Sequence, residues 1–300
     1  MIRNSNNLTG VREKGVLVYP VYSRRSGGLS VGINLFPARK RCSFNCPYCE
    51  VFPFSTGSVF DVEQMEEDLR ETLAAALEKN EPVKDICFSG NGEPTLSEDF
   101  PKALEMAGRV RGELVPASNL VLITCGSGLL DDGLFSLLRE AATGSLALDI
   151  WLKLDAGTPE WYGKMNRSGL PFEKIIEKIK EFVLCAPVTS QTMICAIDGK
   201  GPPSEEERSW EDLLVELAMT KRKDSESQPL GLRATGSSGG IRKVQIYGKA
   251  RPSPEDPMAE ALPVEYLEAR AASLRRAFDS VSSPALTDTG NTSPPVQVYP

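Results

Sequence analysis

The chain has 300 residues, 41% apolar and 25% charged, with 34 basic against 41 acidic side chains and a net charge of −7. These are the proportions of an ordinary globular chain with length for a sizeable core. The acidic balance argues against broad electrostatic capture of nucleic acid and leaves only a local basic groove.

Histidine is absent. A Ser-His-Asp triad and a mixed Cys/His zinc site are therefore excluded, and proton transfer falls to Asp, Glu, Lys, Tyr, Cys or water. No stretch has the length and apolarity of a transmembrane helix. The opening MIRNSNNLTGVREKG lacks the apolar run of a signal peptide. The default expectation is a cytoplasmic, reducing setting, in which the seven cysteines read as metal-binding, catalytic or buried.

Residues 1–17 read as an N-terminal extension. LSVGINLFP (29–37) predicts a strand that ends at a cysteine-rich loop. A helix is expected over 61–80, with Val62, Met65, Leu69 and Leu73 spaced by three and four. KDICFSG (84–90) reads as a short buried strand, after which Ser97 is expected to cap a helix carrying Glu98 and Asp99 in its first turn, with Pro101 close behind. NLVLITCG (119–126) is a third strand, followed by a helix near 129–142, and ALDIWLKLD (147–155) is a fourth. FEKIIEKIKEFV (172–183) is an amphipathic helix with Phe172, Ile175, Ile176, Ile179 and Phe182 on one side. SQTMICAID (190–198), a helix over 204–221, IRKVQIYG (241–248) and a helix over 263–278 complete the pattern.

Repeated strand-then-helix units predict an α/β fold with a parallel sheet and right-handed crossovers. Six such units are too few for a closed eight-stranded barrel. The expected architecture is a single-domain, partial (βα)6 TIM-like barrel over residues 18–280. The polar, Gly/Ser-rich stretch 221–240 reads as a flexible insertion and 281–300 as a disordered tail.

The chemistry concentrates in CSFNCPYCE (42–50), where Cys42, Cys46 and Cys49 stand close together and no further cysteine follows until Cys87. Three thiolates hold three corners of a cubane iron–sulfur cluster, which usually takes four cysteines. With three, one iron keeps the open position a metal centre needs to bind a substrate. The spacing alone also leaves open a zinc site completed by a distant Cys or Asp. A second stretch, FSGNGEPTL (88–96), follows the second predicted strand. Its Gly92 lets a backbone approach a ligand closely. Equally, it fits a Gly-rich turn in which Pro94 sets up a helix start.

The Cys-x3-Cys-x2-Cys spacing, with Tyr48 just before the last cysteine, resembles that of the radical S-adenosylmethionine superfamily. Asn91-Gly92-Glu93-Pro94 resembles the same superfamily's Gly-Gly-Glu-Pro segment, in the same order along the chain. The resemblance implies a [4Fe–4S] cluster on Cys42, Cys46 and Cys49, with its open iron chelated by S-adenosylmethionine. It implies Tyr48 near the adenine and Asn91–Pro94 near the methionyl amino group. It also implies an enzyme: an electron from the reduced cluster cleaves a carbon–sulfur bond, giving methionine and a 5′-deoxyadenosyl radical that abstracts a substrate hydrogen. An electron donor of flavodoxin or ferredoxin type is expected with it.

More narrowly, residues 22–50, 151–167 and 244–257 resemble motifs of a group of iron–sulfur oxidoreductases related to wybutosine synthesis. By motif order this likeness spans roughly residues 18 to 275. The chain departs from it at Cys125, where some members carry Asn, and in having no second close cysteine set, since Cys87, Cys125, Cys185 and Cys195 are scattered.

Other side chains carry weaker signals. Lys153 and Asp155 end the fourth strand, the edge at which parallel α/β sheets gather ligands. They read as contacts to cofactor or substrate, or as rim residues bonding local backbone. Asn166 and Arg167 follow on the same side, and Arg167 suits a carboxylate or phosphate. Arg24 and Arg25, placed before the first predicted strand, face an anionic substrate, the cluster or solvent. Asn34 is expected to bond the cysteine loop's backbone, and Tyr247, Lys249 and Arg251 to line the open side of the barrel. Cys125 reads as a substrate contact or a buried thiol. The leading reading is an enzyme acting on a small molecule or a tRNA nucleoside, RNA not being favoured by the charge. The alternatives are a glycyl-radical-enzyme activase acting on a partner protein, and a non-enzymatic metal-binding module.

Overall fold

The computed structural model describes residues 15–219, 239–253, 259–281 and 293–300. Nearly all of the N-terminal extension, the body of the 221–240 insertion and residues 282–292 lie outside the described residues. Contacts divide the chain into two compact units.

The first unit comprises Met1–Cys42, Val51–Thr124 and Leu146–Asp149. It opens with a hairpin, β1 (Val18–Ser23) antiparallel to β2 (Gly28–Ile33). Then β2, β3 (Val83–Phe88) and β4 (Asn119–Thr124) run parallel. Their apolar runs are buried, with Val31, Ile33, Ile86, Phe88, Leu120 and Leu122 shut off from solvent, as expected for parallel strands covered on both faces. Helix α1 (Val62–Glu78) begins where Asp61 accepts a hydrogen bond from the Gln64 amide. It buries Met65, Leu69 and Leu73, each contributing about 1.5–3 kcal/mol. Helix α2 (Phe100–Leu114) packs Phe100 edge-on against Phe88, at a centroid separation of 5.5 Å. Ser97 does not cap α2. Pro94 preorganises a short 3₁₀ turn over Pro94–Leu96, and Ser97 closes that turn by donating its amide to the Pro94 carbonyl at 3.1 Å.

The second unit comprises Ser43–Glu50, Cys125–Ser145 and Ile150–Pro300. Its parallel strands are β5 (Leu148–Lys153, from Ile150 on), β6 (Pro187–Ile194), β8 (Gly240–Gly248) and β10 (Val296–Tyr299). Two short strands, β7 (Ala196–Ile197) and β9 (Ala259–Glu260), pair antiparallel. The helices are α3 (Asp132–Thr143), α4 (Pro159–Met165), α5 (Phe172–Cys185), α6 (Ser204–Met219) and α7 (Val264–Val281). Helix α5 buries Ile175, Ile179 and Phe182, while Phe172 and Ile176 are half-buried.

Strands β2, β3, β4, β5, β6 and β8 are each followed by helix, which is the α/β partial-barrel class expected from the sequence. The tail expected to be disordered contains β10, paired in register with Val244–Tyr247. Burial of Val296 and an Arg275 bond to its carbonyl at 2.8 Å hold it there. Among the described residues no helix is long and apolar enough to cross a membrane.

Candidate active site

In the second unit, the cysteine loop is anchored by its own aromatics. Phe44 and Tyr48 lie in a buried cluster with Trp161, Tyr162, Met165 and Met193. Phe44 meets Tyr162 edge-on at 5.6 Å. Backbone and polar contacts complete the hold. The Asn45 amide donates to the Asn166 carbonyl at 2.9 Å, and Ser168 Oγ donates to the Ser43 carbonyl at 3.1 Å. Ser43 Oγ donates to Ser127 Oγ at 2.7 Å, and Arg251 pairs with Glu50 at 2.6 Å.

Within the loop, the Cys49 amide donates to the Cys46 carbonyl at 3.0 Å. Cys42 is exposed, while Cys46 and Cys49 are half-buried. Burial pushes the Cys46 thiol up to about 12, with the Lys153 cation working in the opposite direction. Asn166 Nδ2 approaches Cys46 Sγ at 3.7 Å. A thiol so placed ionises when a strong positive partner arrives, as metal binding requires.

Five of the expected residues, Tyr48, Lys153, Asp155, Asn166 and Tyr247, converge beside Cys46. The Tyr48 hydroxyl donates to Asp155 Oδ2. The same carboxylate accepts from Asn166 Nδ2 at 2.9 Å and, through Oδ1, from the Met193 amide at 2.9 Å. Lys153 Nζ stands 3.3 Å from Asp155 Oδ2, donates to the Tyr247 hydroxyl at 2.6 Å, and sits 4.8 Å from the centre of the Tyr48 ring. Burial opposes the charge on Lys153, but Asp155, Tyr247 and Cys46 more than offset it, so its pKa rises above the ordinary lysine value. Burial and the Asp155 charge likewise raise the Tyr48 phenol, which stays protonated as a donor.

The end of β5 is fixed from behind. Trp210 Nε1 donates to the Leu154 carbonyl at 3.2 Å, and Thr192 Oγ1 donates to the same carbonyl at 2.8 Å. Sequence reasoning missed Met193, Thr192 and Trp210, which reach Asp155 or the Leu154 carbonyl before it only through strand pairing and helix packing. It also missed Glu206, whose buried carboxylate accepts from the Gly157 amide and Thr158 Oγ1, both at 2.6 Å.

The Asn91–Pro94 segment belongs to the first unit, where it holds the residue before Cys42. The Arg41 amide donates to the Asn91 carbonyl at 3.0 Å, and the Glu93 amide donates to the Arg41 carbonyl at 2.9 Å. Gly92 lies between them at φ +156°, and a Cβ there would fall inside contact distance of the Arg41 carbonyl. Glu93 is buried and accepts from Thr95 Oγ1 and Thr124 Oγ1, both at 2.7 Å. Asn34 bonds this segment, not the cysteine loop. Its Oδ1 accepts from the Asn91 amide at 3.1 Å, and Asn91 Nδ2 in turn donates to the Phe36 carbonyl at 3.2 Å.

Arg24 and Arg25 lie in the β1–β2 turn, at the amino end of β2, whereas the cysteines follow its carboxyl end. The six residues of β2 put that turn about 20 Å from the strand's own carboxyl end at Ile33. Arg25 acts electrostatically on buried Asp85. Cys125 is buried under the loop within bonding distance of Ser43 Oγ (3.4 Å) and Ser127 Oγ (3.3 Å). Among the described residues, no three His, Cys, Asp or Glu side chains stand close enough to hold a single metal ion.

Residues 39–201, more than half of the chain, match the radical SAM superfamily. A UPF0026 protein of Helicobacter pylori is 32% identical over 171 residues, covering 55% of this chain and 49% of that protein. A UPF0026 protein of Synechocystis is 31% identical over 186 residues, covering 58% and 63%. The chain thus aligns with about half to two thirds of the length of these relatives. The solved structure of Streptococcus suis SuiB bound to S-adenosylmethionine shares the fold, with a TM-score of 0.50 at 13% identity, covering 86% of this chain and 45% of that one. The superfamily match takes in the cysteine loop, the Asn91–Pro94 segment and Lys153, Asp155, Asn166 and Met193 alike. The chain belongs to the radical SAM superfamily, a family of enzymes whose cofactors are a [4Fe–4S] cluster and S-adenosylmethionine.

Proposed function

We propose that Cys42, Cys46 and Cys49 ligate a [4Fe–4S] cluster carried by a barrel domain over residues 18–280, and that the enzyme modifies a small molecule or a tRNA nucleoside. The observation that carries this is the cysteine loop itself. Three thiol side chains are presented on a loop pinned by Phe44, Tyr48 and Asn166, with Cys46 set beside the Lys153 cation. That donor set fits a cluster that keeps one iron open. When bound, the cluster and S-adenosylmethionine together supply one-electron cleavage to methionine and a 5′-deoxyadenosyl radical, which takes a hydrogen atom from the substrate.

The chain's own residues have distinct tasks in this reading. Phe44 and Tyr48 exclude water from beneath Cys46. Lys153 favours its thiolate. Asp155, bonded from several sides, fixes the Tyr48 ring where the adenine is expected. In the Asn91–Pro94 segment, the Asn91 carbonyl and the Glu93 amide are spent on Arg41, and the Glu93 and Pro94 carbonyls on the following turn. The Gly92 carbonyl is left to accept from the methionyl ammonium, while Glu93 braces the turn from inside. The electron comes from a small carrier of flavodoxin or ferredoxin type.

Anaerobic reconstitution with iron and sulfide tests the metal assignment. The expected result is close to four irons and four sulfides per chain, a reduced-state electron paramagnetic resonance signal that changes on adding S-adenosylmethionine, and loss of both in Cys46→Ala. Zinc retained by the cysteines with no iron incorporated would overturn it.

A further inference from the structure

We propose that the collar flanking the cysteine loop is a docking surface for a small acidic electron-transfer protein; this rests on the cluster reading above. The collar lies wholly within the first unit. Its two limbs are tied together by the Thr56 amide donating to the Ala38 carbonyl at 2.8 Å and Thr56 Oγ1 donating to the Pro37 carbonyl at 2.9 Å. Arg39 and Ser55 bridge the same limbs. One limb carries Arg39, Lys40 and Arg41 in succession, immediately before exposed Cys42. The other exposes Phe52, at 54% of its surface, and Pro53.

Two features identify the occupant. Three consecutive cations in a chain of net charge −7 run against the chain's own balance, so they select an acidic partner and raise its encounter rate. An exposed aromatic beside them gives a small apolar centre, suited to a weak and short-lived complex of less than about 1,200 Å². Electrons must enter near a thiolate, and the thiol next to the trio is the exposed one. Each encounter passes one electron. The donor, for example a flavin hydroquinone, is oxidised by one to the semiquinone, and the iron centre is reduced by one. The same cations attract RNA phosphates, but three neutralise too few for strong binding by charge alone, and an exposed thiol serves no purpose there.

The test is titration calorimetry of the reconstituted, full-length protein with flavodoxin, with a plant-type ferredoxin and with a bulk tRNA, at low and high salt. Arg39→Glu and Phe52→Ser are the variants, checked for unchanged thermal unfolding. The expected result is binding of at least one acidic carrier that weakens about tenfold or more in Arg39→Glu and loses its salt dependence. 5′-Deoxyadenosine formation driven by that carrier falls in parallel, while the dithionite-driven rate is unchanged. Binding of neither carrier, equal carrier affinity in folded variants, or weakening of tRNA binding alone would overturn the proposal. Absence of product with dithionite in the unaltered protein would sink the cluster reading instead, and the titration would still decide the docking.

Discussion

Gly92 meets Arg41 backbone to backbone, with the neighbouring Asn91 carbonyl and Glu93 amide bonded to the Arg41 amide and carbonyl at 3.0 and 2.9 Å. The chain entering the cysteine loop is therefore set by the turn after β3, one residue before Cys42. A side chain at position 92 pushes Arg41 away and strains φ +156°. Gly92→Ala is expected to cost about 2–4 kcal/mol and to lower iron loading in step. Denaturant unfolding and iron analysis of the same preparation check this. Full stability with full loading would contradict the close approach.

Asp155 is the acceptor on which Tyr48, Asn166, Met193 and Lys153 converge. Asp155→Ala strands a buried cation and several donors, and is expected to cost about 3–5 kcal/mol. The double variant Asp155→Leu with Lys153→Met removes both charges and should recover much of that loss. A double-mutant cycle in urea measures the coupling. A double variant no more stable than Asp155→Ala alone would show that the pair is not the source of the penalty.

Much of this was legible in sequence, and the reasons are particular. The strands β2, β3, β4 and β5 are largely buried and show as short, mainly apolar runs. By contrast, β6 buries the polar stretch Thr189–Thr192 and β8 carries exposed Arg242, so these two are marked more by their β-branched and aromatic residues. β1 was hidden by Pro20, which a strand tolerates at the edge of a sheet. With β1 unseen, Arg24 and Arg25 read as lying before a strand, when they occupy a hairpin turn. β10 was hidden among prolines, and its strand state comes from pairing with β8. The cysteine spacing and Asn91–Pro94 are local patterns and could be read directly. The Asp155 network joins the cysteine loop, β5, the loop after α4 and β6, and nothing in one segment announces the others.

Phe44 is the loop's apolar anchor. Phe44→Ala should cost about 3–5 kcal/mol, and limited proteolysis should then cut within 43–50. Phe44→Leu, which keeps most of the volume, should do neither to the same degree. Protease resistance equal to that of the unaltered chain in Phe44→Ala would show that other contacts hold the loop.

Glu206 supplies a pH signature. Burial raises its pKa above the ordinary carboxyl value. A carboxyl with a raised folded pKa contributes most below its unfolded value near 4.5, and that contribution is lost as pH rises through the folded value. Removing it also leaves the Gly157 amide and Thr158 hydroxyl without their acceptor, at about 1–3 kcal/mol. The stability gap between the unaltered protein and Glu206→Ala should thus be larger at pH 4 than at pH 7. Unfolding curves across that range decide it, and a gap that widens toward neutrality has the wrong sign.

The central claim is that three cysteines on one pinned loop hold a cluster that cleaves S-adenosylmethionine. The most direct measurement is 5′-deoxyadenosine formed by the anaerobically reconstituted, dithionite-reduced protein, with Cys46→Ala alongside and with nucleoside and tRNA substrates supplied in parallel. The account predicts product in the unaltered protein and none in the variant. A fully loaded cluster that yields no 5′-deoxyadenosine with any of these additions, or product that persists in Cys46→Ala, would contradict it.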